Sequence, residues 1–312
     1  MAVQIVTDSS CCLPVELATK AGITVLDLHV EGEAAERTTS SLGSLELTAS
    51  YARLMERGGD AGVVALHLSK QLSATYANAC VAAGVFDGQV KVLDTKNIAM
   101  VLGFAALSAA EAARGGADLD EVVAVAEESL KNSSLWLYVH QLDALRKGGR
   151  LSVGQALLTS TLAIKPILQL AEGRLTLAAK TRTQAKAMDR VVKLVRRLVI
   201  DEAVAGKGNP RDVQIAVHHS DAEDQAVDLS VRLGAMVEEL NQLEAPAEPP
   251  EPRPHGLRRQ VRVETWQSLP QVEVSIVPLP KALELHVGQG ALGVAATMRA
   301  REHASDGEAT EQ

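Results

Sequence analysis

Between Val3 and Val139, short apolar runs alternate with helical stretches, and this alternation restricts the fold more than any other feature of the chain. The runs are Val3–Thr7, Ile23–His29, Gly62–Leu68, Val90–Leu93 and Leu135–Val139. Gly62–Leu68 is apolar nearly throughout, as strands covered on both faces tend to be. Between the runs, the spacing predicts a helix opening at Leu13-Pro14, one from Ser44 to about Arg57 and one from about Ser73 to Ala83. Two more cover about Asn97–Arg114 and Leu119–Asn132. Pro14 sits early in its helix, where a missing N–H is harmless. Strand and helix in alternation give a mainly parallel sheet with helices on both faces.

After Arg150 the pattern changes. A helix near Val153–Thr161 precedes a hairpin, Ile167–Leu170 and Arg174–Ala179, joined at Glu172-Gly173. Then come an amphipathic helix over about Thr183–Leu198, a strand Val213–His218, a helix over about Asp221–Leu243, and strands Arg259–Thr265 and Val272–Val277. The reading is therefore α/β with two α/β domains, 1–155 and 156–300, the second smaller and mixed, and a polar tail 301–312. Five prolines between Glu244 and Gly256 make 244–256 a stiff exposed loop.

Aromatic residues are 2% of the chain, so the core is aliphatic and stacking platforms for single-stranded nucleic acid are few. A net charge of −8 repels phosphate backbones and anionic lipid, which argues against nucleic acid as a partner and against more than transient membrane contact. The charge is uneven, however. Residues 146–197 hold twelve Lys and Arg against Glu172 and Asp189 only, a basic stretch suited to an anionic docking partner or simply a solvated face. Three cysteines, Cys11, Cys12 and Cys80, suit a reduced cytosol and neither a disulfide framework nor a zinc site. No secretory signal and no bilayer-spanning run is read, so a cytoplasmic location is expected. Dinucleotide, phosphate-loop, nucleophile-elbow and metal-ligand spacings are absent from the sequence, so neither a cofactor nor a metal is expected.

Four polar islands sit where apolar runs end: Asp8-Ser9-Ser10, Thr38 to Ser41, Ser69 to Tyr76, and His286 to Gly290. Strand carboxyl ends line the ligand crevice of open α/β sheets. Hydroxyls and helix-start amides there can hold a carboxylate or phosphate. Each cluster alone is also what a plain helix cap looks like. Gly288 and Gly290 would let a backbone approach a ligand closely near His286, and Lys147-Gly148-Gly149-Arg150 is a glycine-bent turn ending in a guanidinium.

Taken in order, these islands and motifs resemble the DegV family of bacterial fatty-acid-binding proteins. The matching features are Val6 to Ser10 with Leu13-Pro14, Thr39-Ser40, Leu72 to Tyr76, Leu93 to Thr95 and Gly148 to Ser152. Lys165 to Leu168, Lys180 to Thr183 and His286 to Gly290 complete them. The resemblance implies two α/β domains with a long-chain fatty acid between them. It places the carboxylate at Thr39, Ser40, Ser73, Ala74, Thr75, His286 and Gly288. It also implies that the protein is not catalytic alone and presents the acid to a fatty acid kinase catalytic subunit, with Arg150 and Arg182 meeting that kinase. Burying about sixteen methylenes at ~0.8 kcal/mol each offers roughly 13 kcal/mol before association costs.

Departures from the family pattern are Leu42 in place of a proline, Ala74 in place of a glycine, Gln289 in place of a proline, and a short segment between His29 and Thr39. Two other functions stay open at this point. One is a phosphotransfer subunit related to dihydroxyacetone kinases; the other is a regulatory protein that has lost its pocket.

Overall fold

The computed structural model describes residues 2–32, 38–140, 142, 145, 149–151, 164–243 and 267–300. The expected helix at 153–161, the loop 244–256, the strand at 259–265 and the tail 301–312 lie outside them. The chain begins with β1 (Gln4–Asp8), α1 (Val15–Ala21) and β2 (Ile23–Leu26), followed by the short strands β3 (His29–Glu31) and β4 (Thr38–Ser40). Next come α2 (Ser44–Gly58), β5 (Val63–His67), α3 (Thr75–Ala83) and β6 (Val90–Asp94). Strands β2, β1, β5 and β6 stand in that order in one parallel sheet.

The expected strand Ile23–His29 is split. It breaks at Asp27-Leu28, and β3 leaves the sheet to pair antiparallel with β4. Leu28 N donates to Ser9 Oγ at 3.0 Å, which fixes the break.

Helices α4 (Ala99–Arg114) and α5 (Leu119–Lys131) lead into β7 (Ser133–Tyr138), followed by β8 (Lys165–Ala171), β9 (Arg174–Thr181) and α6 (Gln184–Ala205). The described chain ends with β10 (Asp212–His219), α7 (Glu223–Gln242), β11 (Val272–Pro278), α8 (Lys281–Val287) and β12 (Leu292–Arg299). The second sheet has the order β11-β10-β12-β7-β8-β9. It is mixed: β10 and β11 are parallel and the other pairs antiparallel. Among the described residues it has six strands and the first sheet four.

One strand changes place relative to the sequence reading. Leu135–Val139 was expected as a fifth parallel strand. Strand β7 instead pairs antiparallel with β12 and β8 in the second sheet. Sheet membership therefore changes well before residue 155.

Period-two burial explains the layering. In β5, Val64 and Leu66 face the α4 side, while Val63 and Ala65 face α2 and α3. In β7, Leu135 and Leu137 face α4, while Trp136 and Tyr138 face α6 and α7. Helix α4 thus lies between the two sheets and touches strands of both. Its buried Ala105, Ala106, Ala109 and Ala110 let it pack close to its neighbours. Hydrogen bonds and ion pairs also cross the seam. Ser69 Oγ donates to Gly173 O at 2.9 Å, Lys96 Nζ meets Glu172 Oε2 at 2.7 Å, and Met100 N donates to His218 Nε2 at 3.2 Å.

Candidate functional site

A cavity of about 370 Å³ opens in the seam. Its polar end is built from pieces far apart in sequence. Strand β4 brings Thr39 and Ser40, the start of α3 brings Ser73 and Ala74, the last turn of α8 brings His286, and Arg150 reaches in from its turn. Thr39 Oγ1 lies 2.8 Å from His286 Nε2. Ser73 Oγ accepts from Thr75 N at 3.2 Å and shares a bond of 3.0 Å with Thr75 Oγ1. Arg150 Nε donates to Leu72 O at 3.1 Å, which sets the guanidinium beside the Ser73 turn. Ser40 Oγ donates to Glu31 Oε1 at 2.6 Å.

The turns holding these groups are themselves pinned. Asn78 Nδ2 donates to Leu42 O at 2.7 Å, tying the β4–α2 link to α3. Leu42 stands where the family has a proline, and it is fully buried against β1 and β5. Ala74 has φ −77° and ψ −5°, a helical backbone open to any L residue, so its methyl lines the cavity without strain.

Electrostatics at this end favour an anion. Burial, and then the Arg150 charge, push the His286 pKa below the usual histidine value, so the ring is neutral at pH 7. A neutral imidazole, hydroxyls and one guanidinium form a donor-rich pocket mouth, with no carboxylate among the described residues that line it.

The rest of the wall is aliphatic. Leu68, Ile98, Leu135, Leu137, Leu175 and Leu283 come from both halves of the fold, and no Phe, Tyr or Trp is among the described lining residues. Such a wall offers an apolar chain dispersion and desolvation without directional bonds.

Not every expected residue lines this cavity. Thr75 is fully buried behind Ser73 and supports it. Gly288, at φ +76°, ends α8 in a backbone conformation that suits glycine. Arg182, which the resemblance assigns to kinase docking and not to the cavity, is exposed in the turn after β9. Arg150, by contrast, was expected on the docking surface and lines the cavity. The first island faces inward instead. The buried Asp8 carboxylate accepts from Leu68 N and from His67 Nδ1, both at 3.0 Å, and Tyr51 OH meets His67 Nε2 at 2.9 Å. That network holds the ends of β1 and β5 under the cavity.

His218 and Gly293 are lining residues that gave no usable sequence signal. His218 was only half of a His-His pair, and Gly293 was a glycine in an unrecognised strand. His218 Nδ1 donates to Val277 O at 3.1 Å and Nε2 accepts from Met100 N, so both nitrogens are satisfied and the tautomer is fixed. Burial lowers its pKa to about 4. Among the described residues, no three His, Cys, Asp or Glu side chains are grouped to hold a metal ion, and no helix is long and apolar enough to cross a membrane.

This geometry has relatives. A DegV domain-containing protein of Corynebacterium glutamicum is 45% identical over 230 residues, which is 73% of this chain and 81% of the relative. The crystal structure of a DegV family protein from the same species matches with a TM-score of 0.78 at 36% identity, covering 97% of this chain and all of that one. A DegV family protein from Thermus thermophilus, whose structure is described for its fatty acid binding, matches with a TM-score of 0.75 at 26% identity over 96% of this chain and all of that one. The family model described as uncharacterised protein, DegV family, matches residues 31–248. On sequence and fold together, the chain belongs to the DegV family.

Proposed function

We propose that this protein binds one long-chain fatty acid in the seam between its sheets and presents the carboxylate to a fatty acid kinase subunit for acyl-phosphate formation. One observation carries the reading: five residues read from the sequence as head-group ligands, Thr39, Ser40, Ser73, Ala74 and His286, line one cavity whose remaining wall is leucine-rich. The fatty acid binding described for the Thermus thermophilus relative supports it.

In this reading Thr39, Ser73 and Arg150 hold the carboxylate. With Thr75 donating to Ser73, the Ser73 proton is available to the ligand. With His286 donating from Nε2 to Thr39, the Thr39 proton is available too. An ionised head group in a half-buried site needs such donors or it protonates. The leucine wall takes the tail. In this role the protein acts as a carrier, not catalytic alone and without a cofactor.

The division into an amino-terminal and a carboxy-terminal lobe, with the acid between them, belongs to the same proposal, as does a cytoplasmic setting. Arg182 and its neighbours Lys180 and Lys186 form an exposed basic face near the hairpin and are assigned to kinase docking. An open cavity of this size argues against a fold that has lost its pocket.

Native mass spectrometry of the purified protein, followed by lipid extraction, tests the binding half. A single long-chain acid at one per chain is expected, and a protein that takes up no acid even after saturation contradicts it. Acyl-phosphate formation with a cognate kinase tests the presentation half. Arg182→Ala is expected to keep its lipid and lose phosphorylation, and a normal yield removes Arg182 from the interface.

A further inference from the structure

Gly293 is the only glycine among the described residues that line the seam cavity. It lies inside β12, paired with Leu137 of β7 and His218 of β10. A glycine in a strand interior loses conformational entropy and packs nothing, so its presence asks for a reason. The usual reasons do not apply. Its φ is not in the left-handed region, so the backbone does not require glycine. A Cβ there would meet His218 Cβ at 3.4 Å, Trp136 O at 3.6 Å and His218 Cδ2 at 3.8 Å, all ordinary contacts. Neither turn geometry nor crowding by its own sheet excludes alanine. What a side chain at 293 would occupy is the cavity.

The neighbour on β10 sharpens this. His218 cannot swing aside to make room, because both of its ring nitrogens are bonded, to Val277 O and Met100 N. The wall beside Gly293 is therefore rigid, and any bulk added at 293 comes out of the ligand's space.

We infer that Gly293 sets the length of acyl chain the cavity accepts, its missing side chain leaving room, beside the fixed His218 ring, for the tail of the longest acids. The inference rests on the lipid reading above and adds a specificity residue to it. The atoms nearest a Cβ at 293 belong to His218 and Trp136 and not to the head-group residues, so changes at 293 are expected to alter preference among acids and leave the short ones bound.

The test uses the full chain stripped of lipid. Gly293→Ala and Gly293→Val are titrated with stearic acid and with lauric acid. The preference for stearic over lauric acid is expected to fall by about tenfold in Gly293→Val and by less in Gly293→Ala, with lauric acid binding retained. Gly293→Ala carries the test if the valine variant does not fold, since its methyl meets only ordinary contacts. An unchanged preference, or an equal loss for both acids, overturns the assignment of Gly293 while leaving the lipid reading intact. A wild-type protein that binds neither acid overturns both.

Discussion

Thr39 and His286 are 247 positions apart in the chain, and their side chains meet at 2.8 Å at the mouth of the seam cavity. The contact joins β4, an excursion from the first sheet, to α8, which leads into the second sheet's β12. It fixes the ring of a histidine that burial and a nearby arginine keep neutral.

Thr39→Val removes the hydroxyl and keeps the shape. Fatty acid affinity is expected to fall by about 1.5–3 kcal/mol, the range for a hydrogen bond to a charged group, with little change in Tm because Thr39 is part-exposed. Isothermal titration with a long-chain acid measures it; equal affinity removes Thr39 from the head-group site.

Arg150→Met takes away the only cation among the described residues that line the cavity. Two consequences are expected together: weaker acid binding, and a His286 pKa that moves up, because the Arg150 charge is one of the two influences holding it down. An NMR titration of the His286 ring follows the second, and a pKa that stays or falls would show that Arg150 does not act on it.

His218 gives the folded protein a pH dependence. The folded chain resists protonating this ring until about pH 4, whereas an exposed histidine takes a proton near 6.5. Protons therefore favour the unfolded chain between those values. Stability from this group is complete above about pH 6.5, falls by up to about 3 kcal/mol as pH drops to 4, and changes no further below. Gln can keep both hydrogen bonds and cannot titrate, so His218→Gln is expected to flatten the decline in urea midpoint between pH 7 and 4.5. The same decline in both proteins would place the acid sensitivity elsewhere.

The hairpin turn that crosses the seam separates two kinds of contact. Gly173 has φ +80°, and a Cβ on it would collide with Ser69 Oγ, so Gly173→Ala is expected to destabilise the protein by about 1–3 kcal/mol. The adjacent Lys96–Glu172 pair is exposed on both sides, and Lys96→Met is expected to change stability far less than Gly173→Ala. Chemical denaturation of the two variants settles the ranking, and a larger loss for Lys96→Met would reverse it.

How much of this was legible in the sequence depends on the kind of signal. Thr39, Ser73 and His286 stood out because each breaks an apolar run, and strand ends are where open α/β sheets bind ligands. The parallel sheet was legible from alternation. Alternation does not say which sheet a strand joins, and so β7 was misplaced. Strand β12 went unread because Leu-Gly-Val-Ala-Ala-Thr-Met-Arg is rich in residues with low strand preference. Its position between β10 and β7, not its own composition, holds it extended. Helix α8 is seven residues between Pro280 and Gly288, too short for periodicity to register. Arg150 entered the cavity through tertiary contacts with Leu72 that no local pattern encodes.

The central claim is that an acyl chain lies between the sheets with its acid at the hydroxyls. A crystal structure of the protein saturated with palmitic acid addresses it directly. The account predicts continuous tail density along Leu68, Leu135 and Leu137, with carboxylate oxygens within hydrogen-bond distance of Thr39, Ser73 and the Arg150 guanidinium. Palmitate bound on an outer surface, or lying in the seam with its carboxylate away from these residues, would contradict it.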